Sequence, residues 1–148
     1  MDDPDRPIVA QPTLTLLSWN VYRNYRAARI AASLRTFVAR HAPDVLLIQE
    51  APVYDTHPDA RAFADLDAFD GYHRFYAPVH EIARRSRRLP FAHSGQLVLS
   101  RHAFAETRVD ALPAARSRRR AARSGTVTRN VAYARFRLGG GGTLGVYN

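Results

Sequence analysis

Apolar residues in this chain come in short, dense runs that end abruptly in polar side chains. The segment Leu14-Thr15-Leu16-Leu17-Ser18-Trp19 stops at Asn20, and Val45-Leu46-Leu47-Ile48 stops at Gln49 and Glu50. The first run, short and bounded by Pro12 and by a polar loop after Asn20, reads as a buried strand. The second shows no alternation, as expected of a strand covered on both faces. Pro43 and Asp44 before it, and Pro52 after it, are expected to set its limits. Between the runs, Ile30, Leu34, Phe37 and Val38 recur at i, i+4, i+7 and i+8, with Ala27 and Ala31 on the same side. Arg29, Arg35 and Arg40 fall elsewhere, so the spacing predicts an amphipathic helix with one face on a sheet. Strand, helix and strand then lie together and present Asn20 and Glu50 at one sheet edge.

An amide and a carboxylate held at such an edge suit a hard metal ion and the phosphate it activates. A glutamate closing an apolar strand needs compensation for its desolvation, which a cation provides. The competing readings are a strand-end surface glutamate and a turn-forming asparagine.

Four segments, in order, resemble a known family. They are Ser-Trp-Asn-Val at 18–21, Asp-Val-Leu-Leu-Ile-Gln-Glu at 44–50, Ser-Gly-Gln-Leu-Val-Leu-Ser-Arg at 94–101, and Arg-Asn-Val-Ala-Tyr-Ala-Arg-Phe at 129–136 with Leu-Gly-Val-Tyr-Asn at 144–148. Together they are similar to the endonuclease/exonuclease/phosphatase superfamily of deoxyribonuclease I-like fold, over about residues 13–148. Gly-Tyr-His-Arg-Phe-Tyr at 71–76 also resembles that family's aromatic strand leading into a loop. The resemblance implies an α/β fold, a four-layer sandwich of mixed β-sheet with flanking helices. It implies a metal-dependent phosphoester hydrolase using Mg²⁺ or Mn²⁺, with Asn20 and Glu50 as catalytic and metal-binding residues. Arg129, where the family often has a basic residue before a strand, and His93, which aligns with no catalytic histidine of the family but lies near the expected active-site edge, are candidate substrate contacts, against ordinary surface roles for both.

The family's later Gly-Asp-x-Asn and Ser-Asp-His motifs do not occur in the 148 residues. The chain therefore looks like the N-terminal half of such a domain, inactive alone because its histidine–aspartate base is absent. Half a sandwich is expected to leave one sheet's inner face open, to be marginally stable and to need a partner or the remaining half.

The other segments add less. Residues 59–69 read as a short helix with Phe63, Leu66 and Phe69 inward, and residues 104–112 as a strand. Gly139–Gly142 lacks the Lys-Ser/Thr of a phosphate loop and reads as a hairpin turn. None of the six histidines pairs at i, i+4 as in a zinc motif. His41 falls at a helix end, where the dipole favours positive charge. Neither a repeat nor a second domain is visible.

Charge bears on the partner. The net charge is +9, and all 22 basic residues are arginine, a bias that a GC-rich genome explains more simply than phosphate recognition. The charge is nevertheless local: residues 84–123 hold eleven arginines against Glu106 and Asp110. Most lie in segments 81–90 and 112–125, which read as exposed loops. Such a patch attracts a polyanion, and equally an acidic lipid surface. Three functions stay open: a phosphodiesterase or nuclease, a phospholipid- or phosphoinositide-directed branch of the same fold, and a non-catalytic remnant binding nucleic acid. With no cysteine, disulfides and thiolate metal sites are excluded. Residues 1–12, acidic and proline-rich, read as a disordered tail and not as a signal peptide. No run is long enough to span a bilayer, so a cytoplasmic setting is expected.

Overall fold

The strand–helix–strand unit forms as the pattern dictates. In a computed structural model, which describes residues 13–21, 27–53, 69–81, 93–112 and 129–148, β1 (Leu16–Asn20) is followed by α1 (Ala27–His41) and β2 (Val45–Val53). Next come β3 (His73–Glu81), β4 (His93–Ser100), β5 (Phe104–Leu112), β6 (Arg129–Arg137) and β7 (Thr143–Tyr147). A short 3-10 turn at Gly139–Gly141 links the last two strands.

Two sheets result. Sheet A is mixed and ordered β1-β2-β4-β3, with β1 parallel to β2 and the other pairs antiparallel. Sheet B is the antiparallel meander β5-β6-β7. Leu34 and Val38 of α1 pack on one face of sheet A against Leu46, Ile48, Leu97 and Leu99, with Phe69 and Tyr72 completing that core. The opposite face of sheet A, through Val45, Leu47, Ala77 and Val98, packs on Ala132, Ala134, Phe136 and Val146 of sheet B. Among the described residues the layers are thus helix, sheet, sheet. This is the mixed α/β architecture expected.

Three expectations are corrected. Among the described residues the inner face of sheet A is covered, because β5–β7 fold back over it and bury the apolar side of β2 and β4. The expected buried strand β1 is an edge strand whose residues alternate between exposed and half-buried. Among the described residues it pairs only with β2. Pro52 does not end β2, which runs on to Val53 with Pro52 opposite Ser94. Pairing with β1 stops at Gln49, so among the described residues β2 has no second neighbour at Pro52 that needs an N–H from it. The interior of β2 is covered on both faces as its composition demands, with Val45, Leu46 and Ile48 fully buried.

Phe69 is buried as anticipated. Phe63, Leu66, the tail and most of the two arginine-rich loops lie outside the described residues.

Candidate functional site

Asn20 and Glu50 are brought together by the start of the strands that carry them. The Asp44 carboxylate accepts the Thr15 N–H at 2.8 Å, and the Thr15 carbonyl accepts the N–H of Asp44 at 2.8 Å and of Val45 at 3.2 Å. From that clamp the parallel register runs without a slip to Asn20 opposite Gln49. Just beyond, the Val21 N–H donates to the Gln49 carbonyl at 3.0 Å, so the chain leaving Asn20 stays fastened to β2.

At this point β2 is kinked. Ile48 pairs with Leu97 and Ala51 with Gly95, so Gln49 and Glu50 together oppose Gln96 alone. This bulge carries one extra residue, and Glu50 has φ of 55°. For a residue with a Cβ, that left-handed conformation costs on the order of 1–2 kcal/mol. Glu50 is half-buried, whereas Asn20 is exposed. Bulges of this kind terminate pairing and re-aim side chains, and they are frequent beside active sites.

Sheet B reaches the kink through the Asn148 side chain. The backbone of Asn148 exchanges two hydrogen bonds with Ala132, at 2.9 and 3.0 Å, extending the β6–β7 ladder. Its Nδ2 donates to the carbonyls of Ile48 at 3.2 Å and Leu97 at 3.1 Å, and its Oδ1 accepts from Gln49 Nε2. Gln49 Nε2 also lies 3.3 Å from Ser18 Oγ and 3.1 Å from the Leu47 carbonyl. Nearby, Asn130 Nδ2 donates to the Pro78 carbonyl across the sheets. Gln96 Oε1 and Asn130 Oδ1 are buried, with no hydrogen-bond partner among the described residues.

Tyr76 supports the far side of the bulge. Its ring lies over Gly95, where a Cβ would come within 2.2 Å of the Ala77 carbonyl and 2.8 Å of the ring. Its hydroxyl donates to the Ala51 carbonyl at 3.4 Å. Glycine is needed at 95 because two strands and a ring converge there.

His93 and Arg129 are the first residues of β4 and β6. His93 pairs with Val53, and the neighbour of Arg129, Asn130, reaches Pro78, which is level with Gly95 and Ala51. Both backbones therefore stand toward the same end of the sheets as Glu50, while their side chains lie outside the described part. Gln49, Asn148, Gln96 and Asn130 escaped sequence reasoning as site residues. Their one signal is an amide inside or closing an otherwise apolar strand.

Among the described residues, no group of three or more His, Cys, Asp or Glu side chains could enclose a metal. The donors at the kink are one carboxylate and one amide, both oxygen ligands. That set fits Mg²⁺ or Mn²⁺, since Mg²⁺ retains several waters and takes only one or two protein carboxylates. Elsewhere, Glu106 and Asp110 are occupied by the sheet B surface. Arg108 bonds Asp110 at 3.0 Å and Glu106 at 3.2 Å, and Arg135 reaches Glu106 at 3.0 Å. The Asp110 hydrogen bond holds the Arg108 guanidinium above its usual pKa.

A sequence model described as the Endonuclease/Exonuclease/phosphatase family matches residues 17–138. No curated protein matches. Among solved structures, the chain is similar to an endonuclease/exonuclease/phosphatase from Beutenbergia cavernae, with 26% identity and TM-score 0.65, over 90% of this chain and 37% of that one. A family protein from Leptotrichia buccalis matches at 17% identity and TM-score 0.64, over 92% and 54%. TDP2 of D. rerio, solved with a single-strand DNA product, matches at 19% identity and TM-score 0.57, over 90% and 44%. The chain thus spans between 37% and 54% of the length of these proteins. With the family match covering most of its length, the chain belongs to the endonuclease/exonuclease/phosphatase family.

Proposed function

We propose that this chain carries the cation- and phosphate-binding edge of a metal-dependent phosphoester hydrolase, with nucleic acid as its substrate class. The observation that carries the reading is the bulge inside β2, where Glu50 adopts φ 55° one residue beyond the partner of Asn20. Backbone strain of this kind persists only where its surroundings over-determine it, and such sites cluster at active centres.

A bound Mg²⁺ or Mn²⁺ supplies Lewis-acid polarisation of a phosphoryl oxygen. The Glu50 carboxylate is its anionic ligand, and the Asn20 amide orients the same cation and the phosphate. His93 and Arg129 contact substrate from the first positions of β4 and β6. The arginine excess of residues 84–123 draws a polyanion to the chain. The DNA product held by the TDP2 structure favours nucleic acid over lipid. Hydrolysis belongs to the whole domain, of which this chain spans part, so the 148 residues alone are expected to turn over little substrate. A cytoplasmic setting is part of this reading; no helix among the described residues is long and apolar enough to cross a membrane.

The test is a Mn²⁺ titration of the chain beside Glu50→Ala and Asn20→Ala. Binding that both substitutions abolish or weaken supports the reading, and binding indifferent to Glu50 ends it. Single-stranded DNA and phosphoinositide-containing vesicles are then compared with and without Mn²⁺. Preference for vesicles moves the substrate to the lipid branch. DNA binding that ignores the metal makes the chain a binding module.

A further inference from the structure

The bulge in β2 creates a problem that the far sheet solves. Past Ile48, strands β2 and β4 fall out of step, and the carbonyls of Ile48 and Leu97 both receive a hydrogen bond from one amide, that of Asn148. That amide belongs to sheet B, where the Asn148 backbone is locked to Ala132 in both directions. Its remaining oxygen takes Gln49 Nε2. Gln49 is in turn bonded through its own carbonyl to Val21, directly after Asn20, and is joined by a peptide bond to Glu50. Through Gln49, the Asn148 carboxamide thus connects sheet B to the backbone beside both proposed ligands.

We propose that Asn148 is a positioning residue that fixes Gln49 and thereby sets Asn20 and Glu50 at the spacing a divalent cation requires, a role that rests on reading those two as cation ligands. Residue chemistry makes the position exacting. Only a carboxamide of this length offers two N–H groups to two carbonyls and an oxygen to a third partner. A carboxylate of equal size would face Ile48 and Leu97 with acceptors only. Groups that orient metal ligands typically contribute about 10–100-fold in metal affinity.

The experiment compares the full chain with Asn148→Asp, Gln49→Met and a control, Leu34→Ala, which loosens the helix-side core away from the kink. In the metal-free proteins, amide hydrogen exchange is followed at Val21, whose N–H is held by Gln49, and at Leu99 in the centre of β4. The expected result is exchange about tenfold faster at Val21 in Asn148→Asp and Gln49→Met, with Leu99 unchanged. Mn²⁺ affinity is expected to fall about tenfold in the same two variants and to hold in Leu34→Ala. Should Val21 exchange as in the parent chain, Asn148 does not position this edge. A parent chain that binds no Mn²⁺ removes the cation reading, while the exchange arm still decides whether Asn148 orders Asn20 and Glu50. Cation binding that Glu50→Ala abolishes but Asn148→Asp and Gln49→Met leave intact overturns the positioning role alone. Gln49→Met covers the case in which Asn148→Asp fails to fold, since it leaves the Ile48 and Leu97 carbonyls bonded.

Discussion

Ile48 and Ala51 pack into the same helix-side core although they stand three apart in one strand. Regular alternation would set them on opposite faces of the sheet. The extra residue between them is what gives Glu50 its place at the kink, and it does so through a backbone angle that glycine adopts freely and glutamate does not.

Glu50 should therefore be retained against its own backbone preference. Glu50→Gly is expected to be more stable than Glu50→Ala by about 1 kcal/mol, because relief of the left-handed penalty exceeds the added unfolded-state entropy. Both variants lose Mn²⁺ binding. Urea unfolding beside metal titration checks this, and an alanine variant as stable as the glycine one would remove strain from the account.

Gly95 tolerates no side chain. A Cβ would sit 2.2 Å from the Ala77 carbonyl, a backbone atom that cannot swing away. Gly95→Ala is expected to cost about 1–3 kcal/mol and to displace Tyr76 from the Ala51 carbonyl. The check is the urea midpoint, together with tyrosine fluorescence.

At the opposite end of sheet A, the Tyr72 hydroxyl donates to the Pro43 carbonyl and accepts from Arg101 Nε at 3.2 Å. Tyr72→Phe leaves a buried carbonyl without its donor, at a cost of about 1–3 kcal/mol. Because this network is remote from Glu50, Mn²⁺ affinity should be unchanged. A change in affinity would mean that the two ends of the sheet are coupled.

Charge makes a separate prediction. Replacing Arg116, Arg118, Arg119 and Arg120 with glutamine should weaken single-stranded DNA binding at low salt. It should also flatten the dependence of log affinity on log salt by roughly 0.7 for each phosphate no longer neutralised. Fluorescence anisotropy across a salt series measures it. An unchanged slope would place the DNA-binding surface elsewhere.

Much of the fold was legible in the sequence because two periods are visible there. The helix spacing of Ile30, Leu34, Phe37 and Val38 and the unbroken run of Val45 to Ile48 predicted α1 and the buried part of β2. The strand 104–112 is found as β5. The parallel pairing that sets Asn20 beside Gln49 follows from a helix joining two short strands. Pro52 misled, because proline ends a strand only where its neighbours need the missing N–H. Sequence cannot show that β1 has stopped pairing by then.

By itself the sequence determined most of the segments that become strands and helix, that an amide closes the first strand and a carboxylate follows the apolar run of the second, and that the charge is basic and local. These follow from side-chain hydrophobicity and spacing, which are properties of near neighbours along the chain. Tertiary structure alone decided that β5–β7 return to cover sheet A, that β2 is kinked at Glu50, and that Asn148 reaches Gln49 across 99 residues of sequence. The physical reason is that a carbonyl left bare by a bulge takes its donor from whatever element packing brings near, and no local pattern records which one that is.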